Sequence, residues 1–330
     1  MRSANFLLLP DFWKRRKLLS YLLLPFSLIY RVIAKLRRLY WGIFQSVATI
    51  PVVVVGNITV GGTGKTQLVI YLVELLKKIN YRVGVVSRGY GRKSKATTVV
   101  DHNSDVRLVG DEPKLIFDKT GVVVVISTNR VKAVKLAMEL GCNIVISDDG
   151  LQHYCLGRDL EVAVIDYEFG FGNGFCLPSG PLREPIKRLA EVDFIVYNFN
   201  TDIRSYESYQ KDYGFYLGAV KFRNLVDCRQ YCDPSFFKFK VIHAIAGIGR
   251  PEKFFNTLRS LGLEFVMHSF PDHYEFRPMD LIFGNEEIVI MTEKDSVKCK
   301  EFARDNCWFL ETEIRTSYTF DRDFLARVMT

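Results

Sequence analysis

Residues 56–66 read Gly-Asn-Ile-Thr-Val-Gly-Gly-Thr-Gly-Lys-Thr and end in the residue types that hold a nucleoside triphosphate. Glycines let backbone amides close on phosphate oxygens, Lys65 has the reach for the β- and γ-phosphates, and the Thr66 hydroxyl suits Mg2+. Gly61, Gly62, Thr63, Gly64, Lys65 and Thr66 are therefore the expected cofactor-binding residues, with ATP and Mg2+ as cofactors. The usual spacing asks for glycine at position 59, where this chain has Thr59; the additional Gly61 and Gly62 can supply the missing backbone freedom. Asp148-Asp149-Gly150 closes an apolar run, and carboxylates so placed can hold Mg2+ or its waters, with either aspartate as the direct ligand. Weaker signals are the Ser87-Arg88-Gly89-Tyr90-Gly91-Arg92 run, Gly110-Asp111-Glu112-Pro113 at a helix start, and Arg130 opening a helix where an anion would sit.

Chemistry of this kind needs elements that hold it. Residues 52–55 are β-branched and uncharged, as a buried parallel strand is, and the helical stretch 68–76 follows the glycine loop at once. Strand-like runs recur at 82–87, 122–127, 143–147 and 162–166, with helical stretches at 113–119 and 130–140 between them. The alternation predicts an α/β fold of the P-loop type, a doubly wound, mostly parallel sheet with its working loops at the carboxyl ends of the strands. From residue 238 the pattern restarts with strands at 241–246, 264–268 and 287–291 and a helix at 251–261, a second and smaller α/β domain. Gly247 and Gly249 follow a strand but lack the third glycine of a dinucleotide loop. The expected division is 1–45 as an N-terminal segment, 46–201 as the P-loop core, 202–237 as a connector with a strand-like stretch at 215–222, and 238–330 as the smaller domain.

The chain has 330 residues, 48% of them apolar and 25% charged, which excludes disorder, a collagen and a polytopic membrane protein and suits two domains. Its seven cysteines contain no C-x-x-C pair, so they read as small buried hydrophobes and not as a disulfide framework or a zinc site. The formal charge of +8 invites nucleic acid, a membrane surface or phosphorylated substrates. Residues 1–45 settle its place, because they hold nine Lys and Arg against Asp11 alone and account for the whole surplus. Within them, residues 18–30 carry no charge yet are too few to span a bilayer, and no small-residue cleavage site follows. Beyond Pro25, Ile29, Ile33, Leu36, Tyr40 and Phe44 form one stripe and Arg31, Lys35 and Arg38 another. With Leu7–Leu9, Phe12 and Trp13 added, the segment predicts an amphipathic helix lying on an anionic membrane surface. No stacking platform accompanies the cations, so nucleic acid is not an expected partner.

In order along the chain, GNITVGGTGKT, SRGYGR, GDEP, ISDDGLQH, GPLREP, FPDHYEF and MTEKDSVK resemble the tetraacyldisaccharide 4'-kinase (lipid A 4'-kinase) family from about residue 10 to about residue 300. The family's P-loop also carries threonine at the position of Thr59. The resemblance implies transfer of the ATP γ-phosphate to the 4'-hydroxyl of a tetraacylated glucosamine disaccharide 1-phosphate, with Mg2+, at the cytoplasmic face of the bacterial inner membrane. It further implies a catalytic pair, Asp111 and His273, acting on the acceptor hydroxyl, with Lys65 and Arg130 on the phosphates and Glu184 beside Thr66, Asp148 and Asp149 in the metal set. The competing reading is a membrane-associated P-loop NTPase that acts as a switch; Thr292-Glu293-Lys294-Asp295 does not have the spacing of a guanine-specificity motif, which disfavours GTP.

Overall fold

The structure, a computed structural model, describes residues 10–92, 96–199, 213–284 and 287–330. Leu7–Leu9 and residues 202–212 of the expected connector lie outside the described residues. The elements run α1 (Asp11–Lys14), α2 (Leu18–Leu22), α3 (Leu24–Ile43), β1 (Val52–Gly56), α4 (Lys65–Lys78), β2 (Val83–Ser87), β3 (Thr98–Val99), α5 (Val106–Val109), α6 (Asp111–Thr120), β4 (Val123–Ile126), α7 (Arg130–Glu139), β5 (Ile144–Asp148), β6 (Leu160–Asp166) and β7 (Phe194–Phe199). They continue as β8 (Tyr213–Asn224), β9 (Tyr231–Cys232), β10 (Ile242–Ala246), α8 (Pro251–Ser260), β11 (Val266–Ser269), β12 (Ile288–Thr292), α9 (Glu293–Cys299), β13 (Cys307–Thr316) and α10 (Tyr318–Val328).

Among the described residues one sheet runs in the order β11-β10-β12-β13-β8-β7-β6-β1-β5-β2-β4-β3. Strands β4, β2, β5, β1, β6, β7 and β8 are parallel, as are β13, β12, β10 and β11, and the two sets meet at the antiparallel β8–β13 pair. The segment expected as a connector thus contributes β8, a long strand that belongs to both halves. Strands β1, β2, β5 and β6 of the first set are buried on both faces, which is why they read as apolar runs rich in Val and Ile, whereas β7 and β8 are only partly buried. One face packs Leu68, Leu72 and Leu76 of α4 and Phe320 and Phe324 of α10; the other packs Ala133, Val134 and Ala137 of α7. Burying a side chain of this size contributes about 1.5–3 kcal/mol. In the second half, Phe254, Phe255 and Leu258 of α8 cover β10 and β12.

The N-terminal helices invert this arrangement. The buried residues of α2 and α3 are Ser20 and Ser27. The Ser27 hydroxyl donates to the Cys176 carbonyl at 2.8 Å, Tyr30 donates to the Arg183 carbonyl at 3.0 Å, and Asn173 donates to the Phe12 carbonyl at 2.7 Å. Leu22, Phe26, Ile29, Ile33, Leu36 and Tyr40 are left exposed. No helix among the described residues is long and apolar enough to cross a membrane.

Candidate active site

Strand β1 lies between β5 and β6, and the pairing of Val55 with Asp148 sets the start of the glycine loop beside the end of β5. The chain can turn through this loop because Gly61 and Gly64 adopt φ of +110° and +90°, values that suit glycine. Gly64 is the N-cap of α4, and any side chain there would place its Cβ 2.5 Å from Asn198 Nδ2. Asn198 in turn donates to the Thr63 carbonyl at 3.0 Å, and Asn57 Nδ2 donates to the Gly61 carbonyl at 3.4 Å. Thr59 explains the unusual spacing: it forms an antiparallel bridge with Leu182, an extended conformation that needs no glycine. The Val60 and Arg183 amides complete that splint, donating to the Pro181 and Ile58 carbonyls at 2.8 and 2.7 Å. The loop amides, the N-terminus of α4 and Lys65 are donors of the kind that can hold a phosphate.

Lys65 Nζ lies 3.4 Å from Asp149 Oδ1, and Arg183 donates to Asp149 at 3.2 Å. Burial pushes the Asp149 carboxyl up, but these two cations outweigh it and hold the group below the usual carboxylate range. Asp148 goes the other way: burial first, then the charges of Glu112 and Asp149, raise it well above that range. Its Oδ2 accepts the Ser87 hydroxyl at 3.2 Å, while its buried Oδ1 has no hydrogen-bond partner. A carboxylate in this condition fits a divalent cation, which would supply the missing partner and favour ionisation. Arg130 sits beneath this pair, buried, donating to the Asp148 carbonyl at 2.6 Å with Nη1 unpartnered. Burial pulls its guanidinium down to about 10 against the charges of Asp148 and Asp149. Glu184 is one layer farther out: its carboxylate accepts Tyr154 and, at 2.8 Å, Gln152, and Gln152 also donates to the Asn57 carbonyl at 2.9 Å. No group of three or more His, Cys, Asp or Glu side chains forms a ready metal site among the described residues.

The facing wall comes from the second half of the chain. A side chain at Gly249 would set its Cβ 3.2 Å from the Gly62 amide, so the β10–α8 loop closes against the P-loop. Asp166, at the end of β6, pairs with Arg250 at 2.5 Å and with Lys253. The loop after β11 carries His273 in the left-handed region, φ +59°, with Nδ1 3.0 Å from both carboxylate oxygens of Asp111 at the start of α6. Tyr90 packs against the imidazole in a tilted arrangement with ring centroids 5.1 Å apart. Burial pushes the Asp111 carboxyl up, yet the hydrogen bond from His273 and the charges of Lys294, His273 and Lys298 together hold it far below the usual range. Burial lowers His273, and its bond to Asp111 more than reverses that.

The residues expected from sequence fall into three places. Lys65, Thr66 and Asp148–Asp149 share the P-loop wall, Asp111 and His273 meet as a pair across 162 positions, and Arg130 and Glu184 stand behind the first group. Asn198, Arg183, Asp166, Arg250, Lys253 and Lys294 were not singled out by the sequence. Arg183 and Lys294 lie inside the GPLREP and MTEKDSVK motifs, whereas Asn198 is the penultimate residue of a strand, β7, whose mixed polar and aromatic residues hide it.

The chain from residue 19 to 329 matches the family model described as tetraacyldisaccharide-1-P 4'-kinase. A protein from Hahella chejuensis named tetraacyldisaccharide 4'-kinase is 40% identical over 319 residues, covering 94% of this chain and 93% of that protein. One of the same name from Coxiella burnetii is 42% identical over 325 residues, covering 97% and 94%. The crystal structure of LpxK from Aquifex aeolicus in complex with ATP superposes with a TM-score of 0.79 at 30% identity, covering 94% of this chain and all of that one.

Proposed function

The chain belongs to the tetraacyldisaccharide-1-phosphate 4'-kinase family, the lipid A biosynthesis kinases, and from that premise we propose how its own residues divide the reaction. It is a kinase that uses ATP. The acceptor is the 4'-hydroxyl of an acylated glucosamine disaccharide 1-phosphate. The observation that carries the assignment is the approach of the His273 loop to the P-loop: a Cβ at Gly249 would lie 3.2 Å from both the Gly62 amide and Asp272 Oδ2, which sets the Asp111–His273 pair near the Lys65 loop. The acceptor oxygen attacks the γ-phosphorus, the bond to the β–γ bridging oxygen breaks, and ADP leaves. The hydroxyl proton passes to the pair and comes to rest on His273, because Asp111 is held ionised while His273 is pushed up. Lys65 and the loop amides take up charge that develops on the phosphoryl oxygens. Thr66 and Asp148 would hold Mg2+, with Asp149, Glu184 and Arg130 fixing that arrangement from outside. The ion supplies charge neutralisation at the β- and γ-phosphates.

The exposed apolar face of α2 and α3, edged by Arg31 and Lys35, supports docking on an anionic membrane at the cytoplasmic face of the bacterial inner membrane, where an acylated substrate resides. Transfer of labelled phosphate from ATP to a detergent-dispersed tetraacyl disaccharide 1-phosphate, with Lys65→Ala as control, tests the reading. Product with wild type and none with the variant is expected, and equal product from both overturns the site. Replacing Phe26, Ile29 and Ile33 by Ser is expected to release the protein from anionic vesicles in flotation.

A further inference from the structure

Lys294, on the first turn of α9, is the cation around which the two halves of the site are drawn together. Its ammonium lies 3.0 Å from Glu112 Oε1, 3.5 Å from Asp272 Oδ1 and 3.8 Å from Asp111 Oδ2. Those carboxylates come from two separate places: Asp111 and Glu112 open α6 in the P-loop half, and Asp272 precedes His273 in the loop after β11. The three acidic groups repel one another, and among the described residues Lys294 is the ammonium that lies within 4 Å of all three. We propose that Lys294 is a positioning residue for the phosphoryl transfer, keeping Asp111 seated against His273 and tying the His273 loop to α6.

The neighbours of Asp111 make the role specific. His273 holds both carboxylate oxygens, the Glu112 amide donates to Oδ1 at 2.9 Å, and Lys298 stands at 4.0 Å. Lys298 is committed elsewhere, 2.6 Å from Asp295, which also accepts the Gly247 amide and the Thr292 hydroxyl. Lys294 is the nearer of the two ammonium groups and the one that bridges the two carriers of the pair. Burial works against its charge, and Glu112, Asp111 and Asp272 in that order more than restore it, so the ammonium persists through the working pH range. Its loss moves the titration of the pair in one direction: with a neighbouring cation gone, both Asp111 and His273 bind protons more readily, and the pair loses its base form at higher pH.

The inference rests on the reading of Asp111 and His273 as the proton-accepting pair, so Asp111→Asn is measured alongside. Lys294→Met is expected to lower kcat at least tenfold with the KM for ATP changed less than threefold, and to move the acid limb of the kcat profile to higher pH. Lys294→Arg is expected to recover most of kcat and the original limb. In an Asp111→Asn background, Lys294→Met is expected to cost little more, because the two act through one group. An unmoved acid limb, or wild-type kcat in Lys294→Met, overturns the role while an inactive Asp111→Asn keeps the pair. An active Asp111→Asn overturns the pair itself. Lys294→Gln replaces the methionine variant if that one does not fold. If neither folds while Lys294→Arg matches wild type in rate and pH limb, the residue is structural only.

Discussion

The P-loop wall and the wall that faces it reach the same cleft by opposite routes. On the first, Gly61 to Thr66 are contiguous, the loop follows β1 directly, and Asp148–Asp149 end the strand that pairs with β1. Its geometry is a consequence of local sequence and one strand register. On the second, Asp111, His273 and Lys294 come from three separate segments, and their meeting depends on a sheet that turns through the β8–β13 ribbon. The charges differ in the same way. The first wall includes a buried carboxylate, Asp148, lacking a partner at Oδ1 and raised by burial; the second includes a carboxylate, Asp111, saturated with partners and depressed. One wall leaves a buried carboxylate oxygen without a partner, and the other closes its carboxylate on partners from its own side.

The comparison breaks most sharply at Lys65. Lys65→Ala removes the ammonium from the phosphate cradle and is expected to lower kcat/KM by roughly a thousandfold or more, about 4 kcal/mol of transition-state stabilisation. Steady-state transfer assays check this, and a loss under tenfold would mean that the loop amides suffice. On the facing wall Asp111→Asn keeps the shape and removes the charge. It is expected to lower kcat by roughly 10²–10³ while the KM for ATP moves less than about threefold. A change confined to the KM for ATP would place Asp111 on the nucleotide and erase the distinction between the walls.

What the sequence disclosed follows the same division. The strand-loop-helix at 52–76 is legible because parallel strands buried on both faces are continuous in Val and Ile and the glycine loop has a chemical signature. The strands β2, β4, β5 and β6 follow for the same reason. Strand β7 and the 307–316 strand were not read, since one mixes Tyr and Asn with apolar residues and the other alternates Glu, Thr and Arg along a half-exposed ribbon. The pairing of Asp111 with His273 carries no local signal, because spacing says nothing about two residues 162 positions apart; only resemblance to a family joined them. Arg130 reads as an anion ligand from its place after a strand; the fold shows its Nη2 donating to the Asp148 carbonyl while Nη1 has no partner.

The joint between the walls offers a smaller effect. Asp166 is almost fully buried and neutralises both Arg250 and Lys253. Asp166→Asn leaves two partly buried cations facing an amide and is expected to destabilise by about 2 kcal/mol, a fall of a few degrees in Tm. Because the variant touches neither phosphates nor acceptor, kcat is expected to fall less than tenfold. An unchanged Tm would show that the closing of the β10–α8 loop on the P-loop does not depend on these charges.

The smallest effect is a pH window. Asp111 has its folded pKa depressed, so its contribution to stability is present above the unfolded value, about 4, and is lost as pH falls toward the folded one. His273 has its folded pKa raised, so its contribution is complete below the unfolded value, about 6.5, and is lost as pH rises through the folded one. Both contributions are present together only between roughly pH 4 and 6.5. The stability difference between wild type and His273→Gln, read as a shift in Tm, is therefore expected to be largest there, on the order of 1 kcal/mol, and to shrink on the alkaline side. Lys65→Ala supplies the contrast: its partner Asp149 is held below the usual carboxylate range, so that difference is expected to persist on the alkaline side and to shrink only in acid. A difference in Tm for His273→Gln that stays constant from pH 5 to 9 would mean that the imidazole contributes by packing against Tyr90, and the charge asymmetry between the walls would not extend to stability.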